Sequence, residues 1–215
     1  MNQMNLVKNK RQKTFRVLPK TFISYFPILL NPLANFFISM KISPNALSIF
    51  ALIAGLGAGI LFFFERLFWA GILIIVCGLF DIIDGKVAVQ TNKESIFGAM
   101  FDSTLDRYSE FFIYFGIAVY FRDHWALWLI FWTVLGSLMV GYTRARAEGL
   151  GIECKIGLMQ RAERMVLLSL VTIVGSLFKV FDFFMIAVLV LITIISNITA
   201  IQRVLLVRRV ERLNK

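Results

Sequence analysis

Four aspartates stand among residues that are almost wholly apolar, where no ordinary structural need accounts for them. Asp81 and Asp84 fall in Gly78-Leu79-Phe80-Asp81-Ile82-Ile83-Asp84-Gly85, and Asp102 and Asp106 in Gly98-Ala99-Met100-Phe101-Asp102-Ser103-Thr104-Leu105-Asp106. Spacings of three and four put each pair on one face of a helix. Such a carboxylate costs about 2.5–3.5 kcal/mol at the centre of a bilayer and less near its surface, so the four together cost at most on the order of 10 kcal/mol. Lys86 and Arg107, the fixed cations of the same two segments, are too few to pair four anions. One or two divalent ions neutralise the set, and all-oxygen ligands with room for phosphate favour Mg²⁺ or Mn²⁺ over zinc. His124 lies alone in a turn, and Cys77 and Cys154 have no motif spacing, so none offers a rival ligand set and both cysteines are expected as free thiols. Gly85, Ala88 and Gly98 either let a phosphate or nucleotide approach the backbone or let helices pack closely; the residues alone leave both open.

The elements that must carry these aspartates are membrane helices. The chain is 59% hydrophobic and 17% charged, with 22 phenylalanines, well away from the roughly 25% charged average of soluble domains. Six segments approach the roughly 20 apolar residues that a span requires, near 44–64, 67–89, 98–121, 125–148, 162–180 and 182–207. The short connection after the second span makes the second and third antiparallel neighbours, which brings the two aspartate pairs to the same end.

The net charge of +10 sits between and beside the apolar runs, which points to membrane topology and away from nucleic acid. Lys8, Lys10, Arg11, Lys13, Arg16 and Lys20 precede the first span. Arg144, Arg146, Lys155, Arg161 and Arg164 flank the fourth connection, and Arg203, Arg208, Arg209, Arg212 and Lys215 close the chain. The opposite side carries Arg66, Arg122 and Lys179, so both termini and the aspartates are expected on the cytoplasmic side of a multi-pass cell-membrane protein. No signal-peptide pattern follows the basic start, and the N-terminus is expected to be retained. Residues 1–43 read as a basic tail and an interfacial amphipathic helix, with Phe22, Phe26, Leu29, Leu30, Phe36 and Phe37 in the headgroup boundary and Lys20 and Lys41 on anionic lipid. Residues 44–215 form the six-span domain.

Asp81, Asp84, Gly85, Ala88, Gly98, Asp102 and Asp106, at these spacings, resemble the signature of the CDP-alcohol phosphatidyltransferase family. One departure is plain: the family usually has Arg after the alanine, where this chain has Val89. The resemblance implies an all-α, six-helix membrane bundle with an interfacial N-terminal helix, two Mg²⁺ or Mn²⁺ ions, and a homodimer. It implies that Asp81, Asp84, Asp102 and Asp106 bind metal, that Asp106 is also the general base, and that Asp81, Gly85, Ala88 and Gly98 line the cytidine nucleotide. Pro44-Asn45-Ala46-Leu47-Ser48 resembles the family segment opening the first span, from which Asn45 and Ser48 would reach the nucleotide. The implied reaction moves a phosphatidyl group from a CDP-lipid such as CDP-diacylglycerol to an alcohol and releases CMP.

The acceptor is read from arginines. Arg144, Arg146, Arg161 and Arg164 bracket the fourth connection on the aspartate side, and guanidiniums suit bidentate phosphate binding, so a small phosphorylated alcohol is expected. These segments resemble the matching parts of bacterial phosphatidylinositol phosphate synthases, which implies inositol 1-phosphate; glycerol 3-phosphate is the alternative within the same chemistry. A cation transporter is the alternative of a different class. It predicts carboxylates near midplane and an inverted repeat, and the sequence shows neither.

Overall fold

The computed structural model describes residues 30–154 and 156–213. Among them the chain forms seven α-helices: α1 (Asn31–Ser39), α2 (Pro44–Phe63), α3 (Leu67–Gln90), α4 (Ile96–Tyr120), α5 (Ala126–Gly149), α6 (Arg161–Phe178) and α7 (Phe181–Leu213). The last six coincide with the six apolar segments to within a few residues, except that α7 runs on to Leu213. The protein is an all-α membrane protein. Helices α2, α3, α5 and α7 are long and apolar enough to cross a bilayer. In α4 and α6 charged side chains, among them Asp102, Asp106, Glu110, Arg161 and Arg164, dilute the apolar composition.

Local chemistry fixes the helix ends. Ser43 caps α2 by accepting the Ala46 N–H, with Pro44 at the first helical position, and Ser95 caps α4 by accepting the Gly98 N–H at 2.9 Å. Gln160 and Glu163 form a reciprocal capping box at the start of α6. The chain leaves α1, α2, α3 and α6 through left-handed Lys41, Glu65, Asn92 and Lys179. After each of these the next N–H reaches back to the last turn, as Lys93 N does to Ala88 O at 2.9 Å.

Helix α2 is the central post, packed along both α3 and α4. Small residues allow it: a Cβ on Gly59 would lie 2.4 Å from the Phe112 carbonyl oxygen, and one on Gly116 would lie 2.5 Å from Gly59. Helix α6 packs on α3 and α7, and α7 packs along α5. The consecutive helices α3 and α4, expected as antiparallel neighbours, touch only sparsely because α2 packs along both. Their aspartate-bearing faces therefore look across a gap instead of interlocking, since converging carboxylates cannot form a dry helix seam.

Helix α1 docks on α3, with Ala34 buried, Phe37 against Phe80 at a centroid distance of 5.9 Å, and Lys86 Nζ donating to Asn31 Oδ1. Leu33 and Phe36 remain exposed. Phe22, Phe26, Leu29 and Lys20 of the expected interfacial segment, together with the N-terminal basic cluster, Lys155 and Lys215, lie outside the described residues.

Candidate active site

The polar side chains gather at the end of the bundle formed by the starts of α2, α4 and α6 and the ends of α3 and α5. One carboxylate oxygen from each of Asp81, Asp102 and Asp106 lies within 4.8 Å of the others, so α3 and α4 supply a three-carboxylate set. Asp84, the fourth, is buried beside them and accepts a 2.6 Å hydrogen bond from Ser48 Oγ on α2. Asp102 Oδ1 is buried without a hydrogen-bond partner. A buried oxygen left in that state is costly unless a cation or donor reaches it, and the donor set is all oxygen, so these residues fit a hard divalent ion.

The residues expected to line a nucleotide lie on α2, α3 and α4, the last two being the helices that carry this set. Asn45 faces the start of α4, its Oδ1 3.5 Å from where a Cβ on Gly98 would be. Gly98 also meets its own cap, since that Cβ would stand 2.9 Å from Ser95 Oγ. Gly85 opens onto free space, with nothing within 4 Å of a Cβ built there. Ala88 is half-buried next to an exposed Val89.

Beside the aspartates a cavity of about 450 Å³ is walled by α3 to α7, with Asp81, Asp106, Arg107, Arg144, Arg161, Arg164 and Arg203 among its lining. The arginines are not equivalent. Arg161 Nη1 lies 2.8 Å from Asp81 Oδ1 and 2.7 Å from Asp106 Oδ1, and its Nη2 donates to Ser109 Oγ at 2.9 Å. Arg164, 3% exposed, makes a fork to Glu110 at 2.8 and 3.0 Å, and Ser137 Oγ donates to the same carboxylate at 2.6 Å. Arg164 Nη1 is buried and without a partner. Arg144 pairs with Glu148 at 2.9 Å along α5 and is well exposed, a pair of little energetic weight. Arg146 is exposed and absent from the cavity lining, so the structure does not bring it together with the other three.

Two residues here escaped the sequence analysis as site residues. Glu110 stands four after Asp106 and eight after Asp102, the spacing that could have marked it as one more member of the same helix face. Arg203 belongs in sequence to the terminal basic run, yet it is buried, donates Nε to Ile156 O at 2.9 Å and Nη1 to Val140 O, and lines the cavity. Only the return of α7 against α5 brings it there. Cys77 and Cys154 are free and buried, and burial pushes the Cys154 thiol above its usual range.

The model of the CDP-alcohol phosphatidyltransferase family matches residues 41–207, more than three quarters of the chain and including every helix that bears a site residue. The chain belongs to this family. As a CDP-alcohol phosphatidyltransferase it is a transferase of phospholipid biosynthesis that works with divalent metal, for which Asp81, Asp102 and Asp106 are a suitable set. It is 37% identical over 139 residues to an archaetidylinositol phosphate synthase of Pyrococcus horikoshii, covering 64% of this chain and 73% of that one. It is 35% identical over 158 residues to a phosphatidylinositol phosphate synthase of Streptomyces avermitilis, covering 70% and 64%. The phosphatidylinositol phosphate synthase of Mycobacterium tuberculosis superposes with a TM-score of 0.74 at 25% identity in its crystal structure with CDP-DAG bound, over 82% of this chain and 92% of that one. Its structure with manganese and citrate superposes at 0.75, over 82% and 87%.

Proposed function

We propose that this transferase moves a phosphatidyl group from CDP-diacylglycerol or a related CDP-lipid to inositol 1-phosphate, releasing CMP. The observation that carries the reading is the juxtaposition of the Asp81, Asp102 and Asp106 set with an arginine-walled cavity large enough for a small phosphorylated alcohol. The names of the relatives, inositol phosphate synthases from archaea and bacteria, support the same acceptor. Glycerol 3-phosphate shares the phosphate but not the ring of hydroxyls, and is the second acceptor to be tested. The transporter reading falls with family membership.

In this reading Asp81, Asp84, Asp102 and Asp106 are the metal ligands, with Ser48 holding Asp84 in place. Two divalent ions, when bound, supply Lewis-acid stabilisation of the charge on the pyrophosphate. Asn45, Ser48, Asp81, Gly85, Ala88 and Gly98 bind the cytidine nucleotide, the glycine at 85 leaving the backbone open to it. Asp106 takes the proton from the acceptor hydroxyl as it attacks the phosphorus on the lipid side. Arg144, Arg164 and Arg203 hold the acceptor phosphate from the wall of the cavity, with Arg164 kept in place by Glu110. Arg146, outside the cavity, contributes as an exposed charge that attracts the anion. Arg161 stands closer to the aspartates than to any of these.

We further propose that α2 to α7 form one domain and all cross the membrane, that α1 lies along the membrane surface, that both termini and the site face the cytoplasm, and that the enzyme is a homodimer. Lysine and arginine placement supports the orientation. CMP release by the purified protein with CDP-diacylglycerol tests the reading, with inositol 1-phosphate, glycerol 3-phosphate, free inositol and serine compared in Mn²⁺, Mg²⁺ and EDTA. Turnover is expected with inositol 1-phosphate and metal; preference for glycerol 3-phosphate or an unphosphorylated alcohol would sink the acceptor assignment.

A further inference from the structure

Arg161 and Arg164 sit one helical turn apart at the start of α6 but serve carboxylates in different ways. Arg164 and Glu110 form a matched fork, closed off by Ser137 and out of reach of solvent. Arg161 instead divides one nitrogen, Nη1, between Asp81 on α3 and Asp106 on α4, at 2.8 and 2.7 Å. Its Nε is buried with no partner. It is attached at the first residue of its helix, and its side chain, 17% exposed, lines the cavity. Arg161 is thus held by charge at an incompletely satisfied position, beside a space into which it can turn. The two carboxylates it bridges are two of the three in the converging set, while the third, Asp102, has an oxygen without a donor.

A guanidinium and a divalent ion that share the same carboxylates repel one another and compete for the same negative charge. Resting on the proposed metal site, we propose that Arg161 is a resident counter-cation: it balances Asp81 and Asp106 while no metal is bound, and metal must displace it from them. The carboxylates alone would hold metal more tightly than the enzyme does, and the fold would suffer more from metal loss. Arg161 is thereby set apart from the arginines assigned to the acceptor phosphate.

The test is Mn²⁺ affinity, read from the free-ion paramagnetic resonance signal of the purified full chain in detergent without lipid substrate, together with thermal unfolding in EDTA and in saturating Mn²⁺. Arg161→Gln is expected to bind Mn²⁺ roughly tenfold more tightly than the unaltered enzyme. It is also expected to unfold at lower temperature in EDTA, with the difference closing in Mn²⁺. Arg161→Lys keeps the charge and is expected to stay within about threefold of the unaltered affinity. Arg161→Gln protein that can be recovered only in Mn²⁺ supports the proposal. Unchanged or weaker Mn²⁺ binding in Arg161→Gln, or misfolding that Mn²⁺ does not rescue, overturns it and leaves Arg161 as a structural brace. Asp102→Asn separates the two levels: if it leaves Mn²⁺ binding intact, the metal site itself is misassigned, whereas its loss of binding beside an unaltered Arg161→Gln condemns the counter-cation alone.

Discussion

The two ends of the bundle are built on opposite plans. At the far end, where α2 turns into α3 and α6 into α7, the helices close on aromatic rings. Phe62, Phe121 and Phe181 are buried together, Phe121 and Phe181 stacked at 6.1 Å and Tyr120 edge-on to Phe181 at 5.1 Å. A cavity of about 780 Å³ opens there too, but its polar groups, such as Tyr120 at the end of α4 and Asp182 at the start of α7, paired at 2.9 Å, lie at helix ends. At the carboxylate end α3 and α4 touch only sparsely, and ion pairs cross from α6 to α3 and α4, joined by hydrogen bonds from Ser48 to Asp84 and from Ser137 to Glu110. A bundle whose far end is closed by dispersion and close glycine contacts can keep the other end underpacked and charged, because stability and chemistry are drawn from separate places.

That separation can be broken experimentally. The largest effect is expected from Asp106→Asn: CMP release falls by roughly 10²- to 10⁴-fold, the range for loss of a general base, while the unfolding temperature in Mn²⁺ stays close to that of the unaltered enzyme. A large drop in unfolding temperature would mean that the carboxylate end also holds the fold. Phe62→Ala is the mirror experiment. Removing this fully buried ring is expected to cost about 3–5 kcal/mol, seen as loss of thermal stability in detergent, with the acceptor KM of the surviving folded enzyme unchanged.

Glu110→Gln lies between the two plans, since Glu110 is buried with Arg164 yet borders the cavity. It is expected to cost about 3 kcal/mol by leaving a guanidinium without its partner charge and to raise acceptor KM as well. An effect on only one of these measurements would show the two functions of the pair to be separable. The smallest effect belongs to Arg144→Gln: its ion pair with Glu148 is exposed, so stability stays within about 0.5 kcal/mol, while acceptor KM rises by roughly tenfold through loss of a charge-assisted contact. An unchanged KM would remove Arg144 from the acceptor site.

The sequence by itself determined the positions of the long helices and the grouping of the aspartates. Hydropathy marks a span directly because an uncompensated polar backbone or side chain is so costly in hydrocarbon, and spacings of three and four put Asp81 with Asp84 and Asp102 with Asp106 without any knowledge of neighbours. The carboxylates also announced a divalent cation, since their charge is too concentrated for the local lysine and arginine to balance. What only the tertiary structure decided is how the cations are shared out. Four arginines that look alike in the sequence separate into one bridging Asp81 and Asp106, one locked to Glu110, one on a surface pair with Glu148 and one outside the cavity. A fifth, Arg203, arrives from the final helix. The parting of α3 and α4 by α2 was equally hidden, because helix order along the chain does not fix helix adjacency in space. Spans and faces follow from local periodicity, whereas the partner of a buried charge depends on which faces of distant helices the packing turns toward one another.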